Sequence, residues 1–309
     1  MTPDTKRILV TGGAGFVGSH LVDRLSGLGH RVTVLDDLST GFRENVCGDA
    51  VLVEGDVRDR ALVARLIDEA DACFHLAAVA SVQRCLEFGA ESHAINQTSF
   101  VGLLESIGAR KGGVIPVVYA SSAAIHGDTD VFPVYENLPL CPISIYGADK
   151  AGCELHARAA GRAKGVPSFG LRPFNIYGPR QHASSPYSGV ITVFIDRLRR
   201  GENLTIYGDG SQTRDFIHVS NIVDYFIAAL EKASVDAPVC NAATGKETSV
   251  LDIAHKLAEI LGREPEIVFA SARTGDIYRS VADTSRAQAL LGVTASVAVA
   301  EGLRFVLER

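Results

Sequence analysis

The sequence has no run of about twenty apolar residues, no CxxC pair and no excess of basic charge, and each absence removes a class of function. Without a long apolar run, no membrane-spanning helix is expected. The residues before the first apolar run at 8–11 are mostly polar and lead straight into a strand pattern, so no signal peptide is expected either. The six cysteines, Cys47, Cys73, Cys85, Cys141, Cys153 and Cys240, are scattered, and none joins histidines at a zinc-like spacing. They read as free thiols in a reducing compartment, which points to the cytoplasm and to no bound metal. A formal charge of −6 offers neither nucleic acid nor an anionic membrane the basic face it would need. No internal repeat or low-complexity tract is visible. What is present is the composition of a globular enzyme, 47% hydrophobic and 21% charged. The 309 residues accommodate one large α/β unit with an appended lobe, or two domains.

Short apolar runs at residues 8–11, 32–36, 51–54, 73–77, 117–121 and 168–173 alternate with helix-length segments at 15–28, 60–67, 96–107 and 146–164. The runs do not alternate polar with apolar, as suits strands buried on both faces of a parallel sheet. The order predicts an α/β fold, a Rossmann-type doubly wound parallel sheet with right-handed crossovers. Past about residue 175 the pattern changes. Proline, glycine and polar residues crowd 177–189, which reads as a long loop. A helix near 191–200, a strand at 204–207 and a Gly-rich turn at 208–210 follow. A helix near 220–232 and a strand at 239–242 read as returns to the main sheet. Helices near 249–261, 284–290 and 299–307 complete a smaller, partly interleaved α/β carboxy-terminal lobe. Ser249 and Asp252 have the spacing of a capping box at the first of them. The expected division gives residues 1–175, with about 214–242, to the domain of the main sheet and a discontinuous 176–309 to the smaller lobe.

The first strand runs into Thr11-Gly12-Gly13-Ala14-Gly15-Phe16-Val17-Gly18 and then a helix. Gly12 permits the tight turn, Gly15 lets a pyrophosphate approach the backbone, and Gly18 lets the helix pack close to the sheet. The helix N-terminus, where Phe16 and Val17 lie, offers N–H groups and partial positive charge to phosphates. An ordinary tight turn would use the same glycines, but the place between first strand and first helix favours a dinucleotide. Asp36 ends the second strand and is followed by Asp37. A carboxylate there accepts bonds from the adenosine ribose and repels a 2′-phosphate, favouring NAD over NADP; a cap or turn role is the alternative. Asp56-Val57 suits the adenine ring, or Asp56 caps the next helix.

Tyr146 and Lys150 stand at i and i+4, on one face of a helix. A neighbouring ammonium and the positive nicotinamide both favour the phenolate. A phenolate can take the proton from a substrate hydroxyl as the same carbon is oxidised. The strand at 117–121 ends in Ser121-Ser122, and carboxyl ends of strands face the ligand in a doubly wound sheet. A serine hydroxyl there can bridge the substrate oxygen and the tyrosine. Solvated surface residues and structural serines are the bland alternatives.

Over nearly its whole length the chain resembles the extended short-chain dehydrogenase/reductases, and within them the nucleotide-sugar epimerases of the NAD-dependent epimerase/dehydratase family. The resemblance rests on residues 11–18, Asp36-Asp37-Leu38-Ser39-Thr40-Gly41, His75-Leu76-Ala77-Ala78, Ser121-Ser122, residues 146–150, residues 171–180, Ile206-Tyr207-Gly208-Asp209-Gly210, Thr213-Arg214-Asp215-Phe216 and Arg273-Thr274-Gly275-Asp276. It implies that Tyr146 is the base, Lys150 its electrostatic partner and a ribose ligand, and Ser122 the catalytic serine. It adds Leu76, Ala77, Ala78 and Asn96 to the cofactor site, Asn96 orienting a segment near the active site. Asn175, Arg214 and Arg273 would grip a UDP diphosphate, a task that suits forked guanidinium donors. The strand carrying Thr205 would pass beside uracil with Tyr207 packed on it, and Asp276 would hold the uridine ribose. The implied reaction is C4 epimerisation of a UDP-sugar through a 4-keto intermediate, in a homodimer paired through the helices at 96–107 and 146–164.

The chain departs from that pattern in three places. Ile125-His126-Gly127 replaces Val-Tyr-Gly, Arg172-Pro173-Phe174-Asn175 replaces Arg-Tyr-Phe-Asn, and Ala80 stands where many relatives carry lysine. Ser280 falls at a gate position whose small side chain leaves room for a C2 N-acetyl group. Dehydratases and decarboxylases resembling this chain place an acid after the serine, where Ala123 and Ala124 stand here. A UDP-glucuronate 4-epimerase and a non-catalytic NAD-binding regulator stay as alternatives, the latter against the retained Tyr146, Lys150 and Ser122.

Overall fold

The structure is a computed structural model that describes residues 5–181, 189–272 and 277–308. In chain order the first half comprises β1 (Arg7–Thr11), α1 (Phe16–Gly27), β2 (Arg31–Asp36), β3 (Val51–Glu54), α2 (Arg60–Glu69), β4 (Ala72–His75), α3 (Val82–Glu87), α4 (Gly89–His93), α5 (Ser99–Ala109), β5 (Val117–Ala120), α6 (Ile145–Lys164) and β6 (Ser168–Pro173). Then follow β7 (Asn175–Tyr177), α7 (Val190–Arg200), β8 (Leu204–Tyr207), β9 (Thr213–Arg214), β10 (Phe216–His218), α8 (Val219–Leu230), β11 (Val239–Ala242), β12 (Thr248–Ser249), α9 (Val250–Leu261), β13 (Ile267–Ala270), α10 (Ser285–Leu291) and α11 (Val299–Leu307).

Seven strands form one parallel sheet in the order β3-β2-β1-β4-β5-β6-β11. The expected doubly wound α/β fold is therefore observed. Successive strand residues point to opposite faces, and both faces are covered. Ile8 and Val10 pack with Leu21, Leu25, Ile222 and Phe226 on one side. Leu9 packs with Val63, Leu66, Leu103 and Ile107 on the other. This double burial is why the strands read as continuous apolar runs. The winding reverses between β1 and β4, so the carboxyl ends of β1, β2, β4 and β5 border one crevice.

The smaller lobe packs α7, α9 and α11 around β8 and β10, with Phe194, Ile195, Leu204, Ile206, Ile253 and Leu257 in its core. Asp215, fully buried, fastens this region. Its carboxylate accepts bonds from the N–H and hydroxyl of Thr244 and from the N–H groups of Gly245 and Ala282.

Most elements fall within a residue or two of their sequence limits, and the departures have physical causes. The expected helix at 96–107 starts earlier and is broken by a widened turn at Ala94–Thr98, which brings Asn96 onto the backbone of Val79. β13 was not anticipated, although Ile267–Ala270 is a short apolar run; its Val268 and Phe269 side chains are exposed. It pairs in parallel with β8. The expected loop from 177 begins inside β7, and most of it, 182–188, lies outside the described residues. α10 was expected in the smaller lobe, yet Ala287 joins the large core. The chain leading to α10 is tied to β11 by the Asn241 amide, which donates to Asp283 O. All six cysteines are free thiols. Among the described residues no helix is long and apolar enough to cross a membrane, and no metal-ligand cluster occurs.

Candidate active site

The glycine turn connects β1 to α1 under tight steric limits. Gly12 has φ +72°, and a side chain there would stand 2.6 Å from Ala77 N. A side chain on Gly18 would meet Gly12 O at 2.1 Å. At Gly15 the nearest atom to a hypothetical Cβ is Gly12 O at 3.3 Å, which leaves its outer side open. α1 begins at Gly15 without a side-chain cap, so the helix end faces the crevice with its own N–H groups. These features fit a dinucleotide phosphate lying on the turn, with Phe16 and Val17 in the first helical turn. Leu76, Ala77 and Ala78 lie alongside, where the chain leaves β4.

Asp36 is buried, and its carboxylate accepts from Ala14 N and Leu38 N, both at 2.9 Å. Burial raises its pKa against the pull of those two bonds. The turn role weighed as the alternative is thus met by the same carboxylate that closes the loop over Gly12–Gly15, and its remaining lone pairs are compatible with a ribose. Asp37 holds Ser39 through its N–H and hydroxyl. Asp56 does not cap α2. Asp59 does, accepting from Ala61 N and Leu62 N, while Asp56 grips the Arg58 guanidinium, which lowers its pKa. Val57 is buried beside it. Asn96 is fully buried, with its amide spent on Val79 N at 2.7 Å, Val79 O and Asp149. These bonds hold the segment at Val79, which is the orienting role the resemblance implies for Asn96.

The expected catalytic residues converge where α6 crosses the end of β5. Lys150 is 2% exposed, and its ammonium donates to Ala120 O at 2.9 Å and lies 5.8 Å from the Tyr146 ring centroid. Ser122 follows two residues after Ala120 and caps a short turn, Ala123–His126, by accepting from Ala124 N. Gly147 packs against that turn so closely that a side chain would strike Ala124 O at 2.5 Å. This contact brings Tyr146 and the Ser122 turn to one place.

On the far side, Asn175, Thr205, Tyr207 and Arg214 line one cavity of about 290 Å³. Thr205 accepts from Arg197, and Arg214 donates to Thr213 O. The sequence reading missed Gln181, Gln212 and Phe194 in the same wall, which carry no motif. Tyr146, Lys150 and Ser122 do not line this cavity. Ser280 is half-buried and donates its N–H to Thr213 O, next to Arg214. Arg273 and Asp276 lie outside the described residues.

A model of the NAD dependent epimerase/dehydratase family matches residues 8–243. The solved structure of a UDP-glucose 4-epimerase from Thermotoga maritima, in complex with UDP-glucose, is 37% identical, covers 98% of this chain and 97% of its own, and superposes with a TM-score of 0.93. A UDP-N-acetylglucosamine 4-epimerase from Methanobrevibacter ruminantium, in complex with UDP-N-acetylmuramic acid, is 32% identical over 99% and 98% of the two chains, also with a TM-score of 0.93. A UDP-glucuronic acid decarboxylase from Xenopus tropicalis is 35% identical over 97% of this chain and 71% of its own.

Three buried histidines near these strand ends tie stability to pH. Burial, with Lys150, pushes His75 down to about 3; burial, with Arg172, pushes His126 down to about 4; burial, with His20, pushes His218 down to about 4. Each stays neutral in the fold while the unfolded chain takes up protons below about 6.5. The stability they contribute is therefore complete above pH 6.5 and is lost as pH falls toward 4. At pH 5 the loss is about 2 kcal/mol for each. Thermal unfolding followed at pH 7.5 and pH 5 should show a clearly lower Tm at pH 5, and an unchanged Tm would contradict these burials.

Proposed function

The chain belongs to the NAD-dependent epimerase/dehydratase family, and from that premise we propose that it is a UDP-sugar 4-epimerase, an isomerase that oxidises C4 transiently and reduces it from the opposite face. The observation that carries the reading is the Lys150 ammonium, fixed by Ala120 O and set over the Tyr146 ring beside the Ser122 turn. NAD, when bound, supplies the acceptor for the electrons of the C4–H bond and returns them to the ketone. Tyr146 takes the proton of the C4 hydroxyl and gives it back to the epimeric alkoxide. Lys150 stabilises the phenolate between those transfers. Ser122 donates a hydrogen bond to the C4 oxygen and holds it against Tyr146. Asn175, Thr205, Tyr207 and Arg214, with Arg273 and Asp276, keep the UDP anchored while the 4-keto sugar turns over.

A dehydratase or decarboxylase needs further acid–base help near C5 and C6. Ala123 and Ala124 supply none, which favours the epimerase over the chemistry named for the Xenopus relative. Glucose and galactose derivatives are the proposed substrates, with the acetylated pair admitted by the small Ser280. UDP-glucuronate is the alternative substrate. A homodimer is part of the reading. Val82, Leu86 and Phe88 at α3 and Ile145 and Leu155 on α6 are exposed apolar side chains on helices that pack together, a surface suited to a second copy. α5, expected to share that surface, is mostly buried.

Purified protein incubated with UDP-glucose, UDP-GlcNAc and UDP-glucuronate, followed by proton NMR, should form the C4 epimer of the first two without net consumption of NAD. Tyr146→Phe should lower kcat at least about 100-fold with the fold intact, the scale of a lost general base; full activity would remove Tyr146 from the mechanism. Ser280→Tyr should abolish turnover of the acetylated pair and spare the smaller one, whereas equal loss on both would refute the gate. Leu155→Glu should elute at the monomer mass in size exclusion with light scattering, and an unchanged dimer would move the interface elsewhere.

A further inference from the structure

An ion pair beneath the site has no part in the chemistry described so far. Glu154 lies four residues beyond Lys150 on the same face of α6, with its side chain 1% exposed. Its two oxygens accept from Arg172 Nε at 2.9 Å and Nη2 at 2.7 Å, and Oε1 also accepts from the Ser121 hydroxyl at 2.5 Å. Arg172, on β6, is 3% exposed at its side chain. Its remaining nitrogen, Nη1, donates to Glu136 O at 2.9 Å and to His126 Nε2 at 3.2 Å. A guanidinium only donates, so Nε2 accepts and His126 carries its proton on Nδ1. The Ser122 turn thus has its near end tied to Glu154 through Ser121 and its far end tied to Arg172 through His126.

We propose that Glu154 and Arg172 are positioning residues: the buried pair clamps both ends of the turn that presents Ser122 to the substrate and to Tyr146. The clamp also accounts for imidazole at position 126, because an acceptor nitrogen is what Arg172 meets there. Stability does not require such a pair. Two charges removed from water cost several kcal/mol each, and well-packed apolar replacements are often neutral. What the pair adds is direction. One carboxylate sets Ser121, Lys150 sets Ala120, and both side chains come from the helix that carries Tyr146. Displacing reacting groups by about 1 Å costs on the order of 100-fold in rate. The inference rests on the epimerase reading above.

Two variants test it with UDP-glucose as the probe. Ser121→Ala removes one hydrogen bond and no charge. The double variant Glu154→Leu/Arg172→Met removes the pair without leaving an unpaired ion. Both should lower kcat at least about ten-fold while KM stays within about two-fold, and amide hydrogen exchange should quicken at residues 121–127. A folded variant with wild-type kcat overturns the proposal. Should the double variant fail to fold, Ser121→Ala decides alone. Wild-type protein that turns over no UDP-sugar refutes the epimerase reading instead. The clamp is then judged by hydrogen exchange, where unchanged protection at 121–127 in Ser121→Ala overturns it.

Discussion

The ammonium of Lys150, taken almost wholly out of water, constrains everything around it. An unpaired charge in that position would cost several kcal/mol, so its surroundings must be fixed before it is tolerable. The carbonyl that receives it belongs to Ala120, the last residue of β5, and the aromatic face near it belongs to Tyr146 one helical turn away. Meeting both requires α6 to cross the end of β5 at close range, and a glycine at 147 lets the helix close on the Ser122 turn just beyond that end. The fold and the proposed chemistry thus share a single contact. A helix that slid along the strand would strand the ammonium and separate Tyr146 from the Ser122 turn together.

The sheet supplies the other half of the site through a different constraint. Thr11, His75 and Tyr119 sit in register across β1, β4 and β5. Thr11 Oγ1 and His75 Nδ1 are hydrogen-bonded at 2.8 Å, and Phe100 packs on both the His75 and Tyr119 rings. This row holds the strand ends together where the chain must leave room for a ligand. Above it, the glycine turn and Asp36 close on each other through Ala14 N, so the dinucleotide cradle is part of the packed structure.

Much of this was legible in the sequence because each feature obeys a local rule. Strands buried on both faces lose their alternation, a glycine turn between strand and helix is steric, and Tyr146 and Lys150 share a helix face by spacing alone. The features that escaped depend on long-range partners. Asn96 has its amide consumed by Val79 and Asp149, residues on other segments. Glu154 and Arg172 look like surface charges until α6 and β6 are placed side by side. The apolar run of β13 is long enough for a strand, but its pairing with β8 is set only by the fold.

The central claim is that C4 alone is oxidised and that the hydrogen removed from it returns to it. The most direct measurement is turnover of UDP-glucose in D2O, with the product sugar analysed by mass spectrometry and proton NMR. The account predicts an epimer that carries no carbon-bound deuterium at C4, C5 or C6. Deuterium at C5 or C6 would reveal proton chemistry next to a ketone, as in a dehydratase. Deuterium at C4 would show that the reducing hydrogen came from solvent. Either result would contradict a reversible, internal oxidation beside Tyr146 and Lys150.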